Sequence, residues 1–171
     1  MVPVWDLPLR IVHWSLAAAV LTAWFTANVF DTVHEITGYA ALGLSTFRIL
    51  WGFVGGRNSR FRSFVRLPSV VLAHLRQIVH GQPGRHLGLN PAGGAMAVAL
   101  LAALAVSTVS GFMQITERFF GVEWVEIVHT YSSNLVLILV VVHVLGVLLM
   151  CALQRENQVL AMITGRKQAR P

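Results

Sequence analysis

The chain of 171 residues is 56% apolar and only 12% charged, about half the charged share of an average soluble domain, which excludes an ordinary water-soluble globule. Its net charge of +6 would suggest nucleic acid if the bases shared one surface, but they are parcelled out between long uncharged stretches. No Asp, Glu, Lys or Arg occurs in 11–30, 87–116 or 127–154, and each stretch reaches the roughly 20 residues that a helix needs to cross a bilayer.

In chain order, the first span is expected over 11–30. It is read as a retained span and not as a cleaved leader, because Asp6 precedes it and His13 and Trp14 sit inside it. A short connection leads to a second span over 36–54, whose one charge is Arg48 and which Gly55 and Gly56 end. The loop 57–90 carries Arg60-Phe61-Arg62-Ser63-Phe64 and Pro68, then Val70, Val71, Leu72, Leu75, Ile78 and Val79, a pattern that predicts a short amphipathic helix in the membrane interface. Gly81, Pro83 and Gly84 close that helix. Asn90-Pro91 opens a third span over 92–116, and a fourth runs over 127–154. The expected object is all-α: one domain over 1–171, an integral membrane four-helix antiparallel bundle.

The charges orient it. Arg57, Arg60, Arg62, Arg66, Arg76 and Arg85 lie between spans two and three without an acid, and Arg155, Arg166, Lys167 and Arg170 follow span four with only Glu156. Asp31, Glu35, Glu117, Glu123 and Glu126 face a single base, Arg118, in the other two loops. The positive-inside rule therefore puts both termini in the cytoplasm. The basic residues report topology and no nucleic-acid partner is expected. Trp24 and Trp124 then fall near the outer interface, Trp5 and Trp51 near the inner one.

Four histidines, His13, His34, His129 and His143, lie in or at the spans, where ionisable groups are costly and mark function. His13 sits near the cytoplasmic side; His34 and His129 begin inward-running helices at the outer side. His143 follows His129 by 14 residues, nearly four turns and roughly 21 Å, so both share a face at different depths. Only His13 with His143, and His34 with His129, match in depth. Two stacked histidine pairs in an apolar bundle meet the requirement of two bis-imidazole haems. Zinc fits less well, since no Cys or carboxylate cluster completes a tetrahedral set and His34-Glu35 lacks the second His of H-E-x-x-H. The only cysteine is Cys151, so covalent haem attachment through C-x-x-C-H and an internal disulfide are both excluded.

Val4-Trp5-Asp6-Leu7-Pro8, Arg10 and His13-Trp14; His34-Glu35, Gly38 and Arg48; Arg60-Phe61 before Pro68; Gly88, Asn90-Pro91 and Gly93; His129 and His143; and Glu156-Asn157 before 161–167 span nearly the whole chain. In these residues the sequence resembles the bacterial cytochrome b561 family, which includes the b-type cytochrome subunits of nickel-iron hydrogenases. The resemblance implies a di-haem b electron carrier of the membrane working between the quinone pool and a donor or acceptor. It selects the same four ligands. Many members carry a His between the Gly and the Asn-Pro of the third span; here that position is Leu89, so the quinone-binding or proton-handling role of that side chain has no counterpart.

Secondary candidates are Arg48, 14 residues after His34 and able to pair with a haem propionate or to snorkel, and Arg10 with the same two options. Gly38 and Gly111 could admit a porphyrin edge or an ordinary helix contact. His74, His80 and His86 are read as solvated or interfacial. The expected function is electron transfer across the bacterial inner membrane by two non-covalent b haems. It couples ubiquinone or another quinone to a periplasmic redox protein such as a c-type cytochrome, and is an oxidoreductase activity without group transfer. The alternatives are a hydrogenase or dehydrogenase anchor subunit, a superoxide oxidase, and, in a different class, a haem-free transporter whose histidines relay protons.

Overall fold

The computed structural model describes residues 1–82 and 84–168; Pro83 and Arg170, read above as a loop terminator and part of the basic tail, lie outside the described residues. The elements are β1 (Val2–Pro3), α1 (Leu7–Thr26), α2 (Asp31–Val54), α3 (Phe61–Phe64), α4 (Pro68–Val79), α5 (Pro91–Gln114), α6 (Glu123–Gln154), α7 (Gln158–Thr164) and β2 (Arg166–Lys167). Among the described residues the regular structure is helical apart from one two-residue strand pair. Four long helices occupy the four expected stretches. Three of them, α1, α5 and α6, are long and apolar enough to cross a membrane. The fourth, α2, has 24 residues but is less apolar, carrying Asp31, Glu35 and Arg48.

The helix starts differ from the apolar boundaries for local reasons. Helix α1 begins at Leu7, inside the charged segment, because the Asp6 carboxylate accepts the Leu9 N–H at 2.9 Å, satisfying a donor that the first turn leaves unpaired. Pro8 sits in that same turn, where its missing N–H costs nothing. Helices α2 and α6 start five and four residues before the expected spans, with Asp31 in one first turn and Glu123 and Glu126 in the other, where the helix dipole favours acids. Asn90 caps α5 by accepting the Gly93 N–H at 2.7 Å. At 32 residues α6 is about 48 Å long, well beyond the roughly 30 Å of a hydrocarbon layer.

The chain forms two compact units. One comprises Met1–Arg10, Trp51–Ala99 and Val140–Pro171; the other comprises Ile11–Leu50 and Leu100–Leu139. The first unit ties the two ends of the described chain together. Strands β1 and β2 pair antiparallel, Val2 with Lys167 and Pro3 with Arg166. The Val4 and Trp5 N–H groups both donate to the Gly165 carbonyl, at 2.8 and 3.1 Å, and Arg10 donates to the Ile163 carbonyl. Gly165 holds a φ of 76° as the left-handed cap of α7. A Cβ there would also stand 2.7 Å from the Trp5 carbonyl oxygen, so glycine is required twice over.

Asp6 is the hub of this unit. One carboxylate oxygen accepts from Leu9 N–H and from the Trp51 indole at 3.2 Å, and the other from Gly56 N–H at 3.1 Å and the Ser59 hydroxyl at 2.6 Å. Burial pushes the Asp6 carboxyl up, but the four donors outweigh it and hold the group below its usual value of 3.8. Helix α4 forms where its apolar pattern predicts, with one correction. His74 is only 3% exposed, and its ring meets His86 edge to face at 5.3 Å. The loop after α4 folds back to cover it, so His74 is not solvated; His80 is exposed as expected and His86 is half-buried.

Replacing Asp6 by Ala removes four acceptor contacts and leaves the Ser59 hydroxyl, 1% exposed, without that partner. The expected loss is about 2–3 kcal/mol, measured by denaturant or thermal unfolding in detergent, with Asp6→Asn milder. Because the folded carboxyl titrates low, its contribution is complete above pH 3.8 and is lost as pH falls through the lower folded value.

Candidate functional site

The site lies in the unit built from Ile11–Leu50 and Leu100–Leu139. Within it, α1 meets α2 where the His34 Nδ1 donates to the Ala23 carbonyl at 2.8 Å. Helix α5 meets α6 where the His129 Nδ1 donates to the Ser107 carbonyl at 2.9 Å and the Ser107 and Ser133 hydroxyls bond at 2.8 Å. Tyr39 and Phe112 connect α2 with α5. His34 and His129, predicted as one depth-matched pair, stand together: their ring centroids are 6.1 Å apart and their planes are crossed at 83°.

A carbonyl oxygen can only accept, so each Nδ1 carries the proton and, in a neutral ring, each Nε2 presents a lone pair. That is the tautomer a metal ligand needs, fixed by the bond the other nitrogen makes. The spacing also fits. Metal–imidazole bonds are about 2 Å and a ring centre lies about 1 Å from its nitrogens, so two imidazoles on one metal have centroids about 6 Å apart. Among the described residues no group of three or more His, Cys, Asp or Glu is placed to hold a metal ion. The donor set therefore suits a metal that brings its own equatorial ligands, as haem iron does.

The glycines flank the site differently. A Cβ on Gly111 would stand 2.9 Å from Cε1 and 3.1 Å from Nδ1 of His129, so Gly111 makes room for an imidazole. A Cβ on Gly38, one turn after His34, would meet no protein atom within 4 Å. Arg48 is 8% exposed, which argues against snorkelling to water. Arg10 donates to the Ile163 carbonyl at the end of α7. His13 and His143 fall in different units; His13 is half-buried with its ring edge-on to Trp14 at 5.2 Å, and His143 is half-buried on α6. Sequence reasoning missed the Ala23 and Ser107 acceptors, because a backbone carbonyl carries no residue signature.

The sequence model of prokaryotic cytochrome b561 matches residues 4–165. The chain belongs to the prokaryotic cytochrome b561 family. Neither the curated proteins nor the solved structures gave a match. Family membership and the apolar helices make this cytochrome a bacterial membrane protein of b-type haem electron transfer.

Gly111→Ala is expected to displace the His129 ring and lower haem occupancy, read from the pyridine haemochrome and the α-band of the purified cytochrome. Gly38→Ala displaces no protein atom, so a fall in occupancy there reads a porphyrin edge in that space, and full occupancy excludes it.

Proposed function

We propose that this cytochrome is a di-haem electron carrier of the bacterial inner membrane. Its four long helices form an antiparallel bundle with both termini in the cytoplasm, passing electrons between the quinone pool and a periplasmic redox protein. The observation that carries the reading is the His34–His129 pair, 6.1 Å apart with both Nδ1 atoms committed to carbonyls. These two residues would hold the outer haem, and His13 and His143 would hold the inner one, a pairing that rests on their depths in the sequence alone. A bound b haem supplies one-electron exchange at iron. Two imidazole ligands per iron would suit electron exchange and not oxygen binding or group transfer. The buried Arg48 guanidinium offers a propionate a charge partner inside the apolar layer.

His34→Ala is expected to remove or alter one haem and leave the other, and His143→Ala to do the reverse. Haemochrome titration giving one haem per wild-type chain would overturn the di-haem reading, as would loss of both haems from every single substitution in folded protein.

The partner reading rests on charge. Asp31, Glu35, Glu117, Glu123 and Glu126 are all exposed and face one base, Arg118, which lies over the Phe119 ring at 5.4 Å. Five acids against one base give −4, a field that attracts a basic protein surface and repels superoxide. This favours a periplasmic protein such as a basic c-type cytochrome over a superoxide oxidase. Stopped-flow electron exchange with a basic c-type cytochrome should slow as salt shortens the Debye length below about 10 Å, and Glu123→Gln with Glu126→Gln should slow it further. A rate indifferent to both, with rapid reduction by superoxide, would sink the partner reading.

A further inference from the structure

Outside the haem-ligand candidates, the unit that holds the described chain ends encloses a second set of titratable groups. Lys167 is 5% exposed and Glu156 8%. The Lys167 ammonium donates to the His86 carbonyl at 3.4 Å. One oxygen of Glu156 accepts from the Gln168 N–H at 3.1 Å and from Arg85 at 3.5 Å. His86 in turn gives its Nδ1 proton to the Gly84 carbonyl at 2.9 Å and lays its ring against buried His74.

This cluster is under-satisfied. Among the described residues, two fully shielded atoms that could accept a proton have no hydrogen-bond partner, Nε2 of His74 and Oε2 of Glu156, and both belong to it. Buried polar atoms are nearly always paired, and an exception calls for a chemical explanation. Open carboxylate and imidazole acceptors beside a buried ammonium are the groups that a site taking up and releasing protons needs. The charged groups facing Lys167 are Glu156, Arg85 and the Cys151 thiol, and the group facing His74 is His86. Burial lowers the Lys167 ammonium from its usual value, with Glu156 opposing; burial and His86 lower His74. Half-exposed His86 and exposed Arg85 give the cluster an edge on water.

We infer that Glu156, Lys167, His74 and His86 form a proton-exchange site that serves quinone chemistry, an inference that rests on the quinone coupling proposed above. Reducing a quinone to a quinol consumes two electrons and two protons, and oxidising a quinol returns them. A bound b haem would supply the one-electron chemistry. The open acceptors of Glu156 and His74 take the protons when quinol is oxidised, the Lys167 ammonium and protonated Glu156 give them when quinone is reduced, and His86 passes them to and from water.

The test uses full-length, haem-loaded protein in lipid nanodiscs, reduced in a stopped-flow instrument either by a short-chain ubiquinol or by a one-electron reductant that carries no proton. Glu156→Gln and Lys167→Met should each slow quinol-driven haem reduction about tenfold or more and flatten its pH profile, with reduction by the one-electron reductant unchanged. Glu156→Asp should recover much of the rate, and exposed His80→Ala should leave it alone. The double variant Glu156→Gln with Lys167→Met removes both charges and keeps the assay available if a lone buried charge unfolds the protein. Quinol rates and pH profiles that superimpose on wild type overturn the inference. Equal slowing with both reductants does so too, by showing a structural role only. A wild-type protein that the one-electron reductant reduces and quinol does not fails the quinone reading itself, and the inference falls with it.

Discussion

Inside a bilayer no water is available to a polar group, so every donor and acceptor carried by a membrane segment has to find its partner within the protein. The long helices satisfy their own backbones, and their hydroxyls turn back on them: Thr37 on the Val33 carbonyl, Thr46 on Leu42, Thr108 on Leu104, Ser132 on Val128. An imidazole cannot do this along its own helix with both nitrogens. His34 and His129 each give one nitrogen to a carbonyl of a neighbouring helix, and the nitrogen left over is the one with ligand chemistry. The bond that satisfies one ring nitrogen thus leaves the other with the lone pair that a metal ligand needs.

Much of this was legible in the sequence, for physical reasons that differ by residue. Uncharged runs long enough to cross a membrane announce helices, and a histidine inside such a run is conspicuous because its cost is high. The 14-residue step from His129 to His143 converts directly into depth and face. Helix starts were less legible. Apolarity marks where a helix enters hydrocarbon, whereas the helix itself begins at the nearest cap, Asp6 for α1, or at acids suited to the dipole, Glu123 and Glu126 for α6.

The long-range polar ties were not legible at all. Asp6 finds Trp51, Gly56 and Ser59, and Glu156 finds Arg85, across separations that no periodicity encodes. His74 reads as a solvated residue of an amphipathic helix until His86 is seen to fold over it. Charge counting also misleads here: Lys167 counts toward a basic tail, yet it is among the more buried polar residues of the molecule.

The pairing of β1 with β2, together with the grip of Val4, Trp5 and Arg10 on the end of α7, has a consequence for folding. In chain order Val2 precedes all four long helices, and its partner Lys167 follows them. Until that later segment is in place the early one has no strand to join, and the Arg10 side chain lacks its carbonyl. Contacts between residues so far apart in sequence form late, since the whole intervening chain must be ordered first. This closure therefore depends on α7 being in place: without it the Val4 and Trp5 N–H groups lack their Gly165 acceptor.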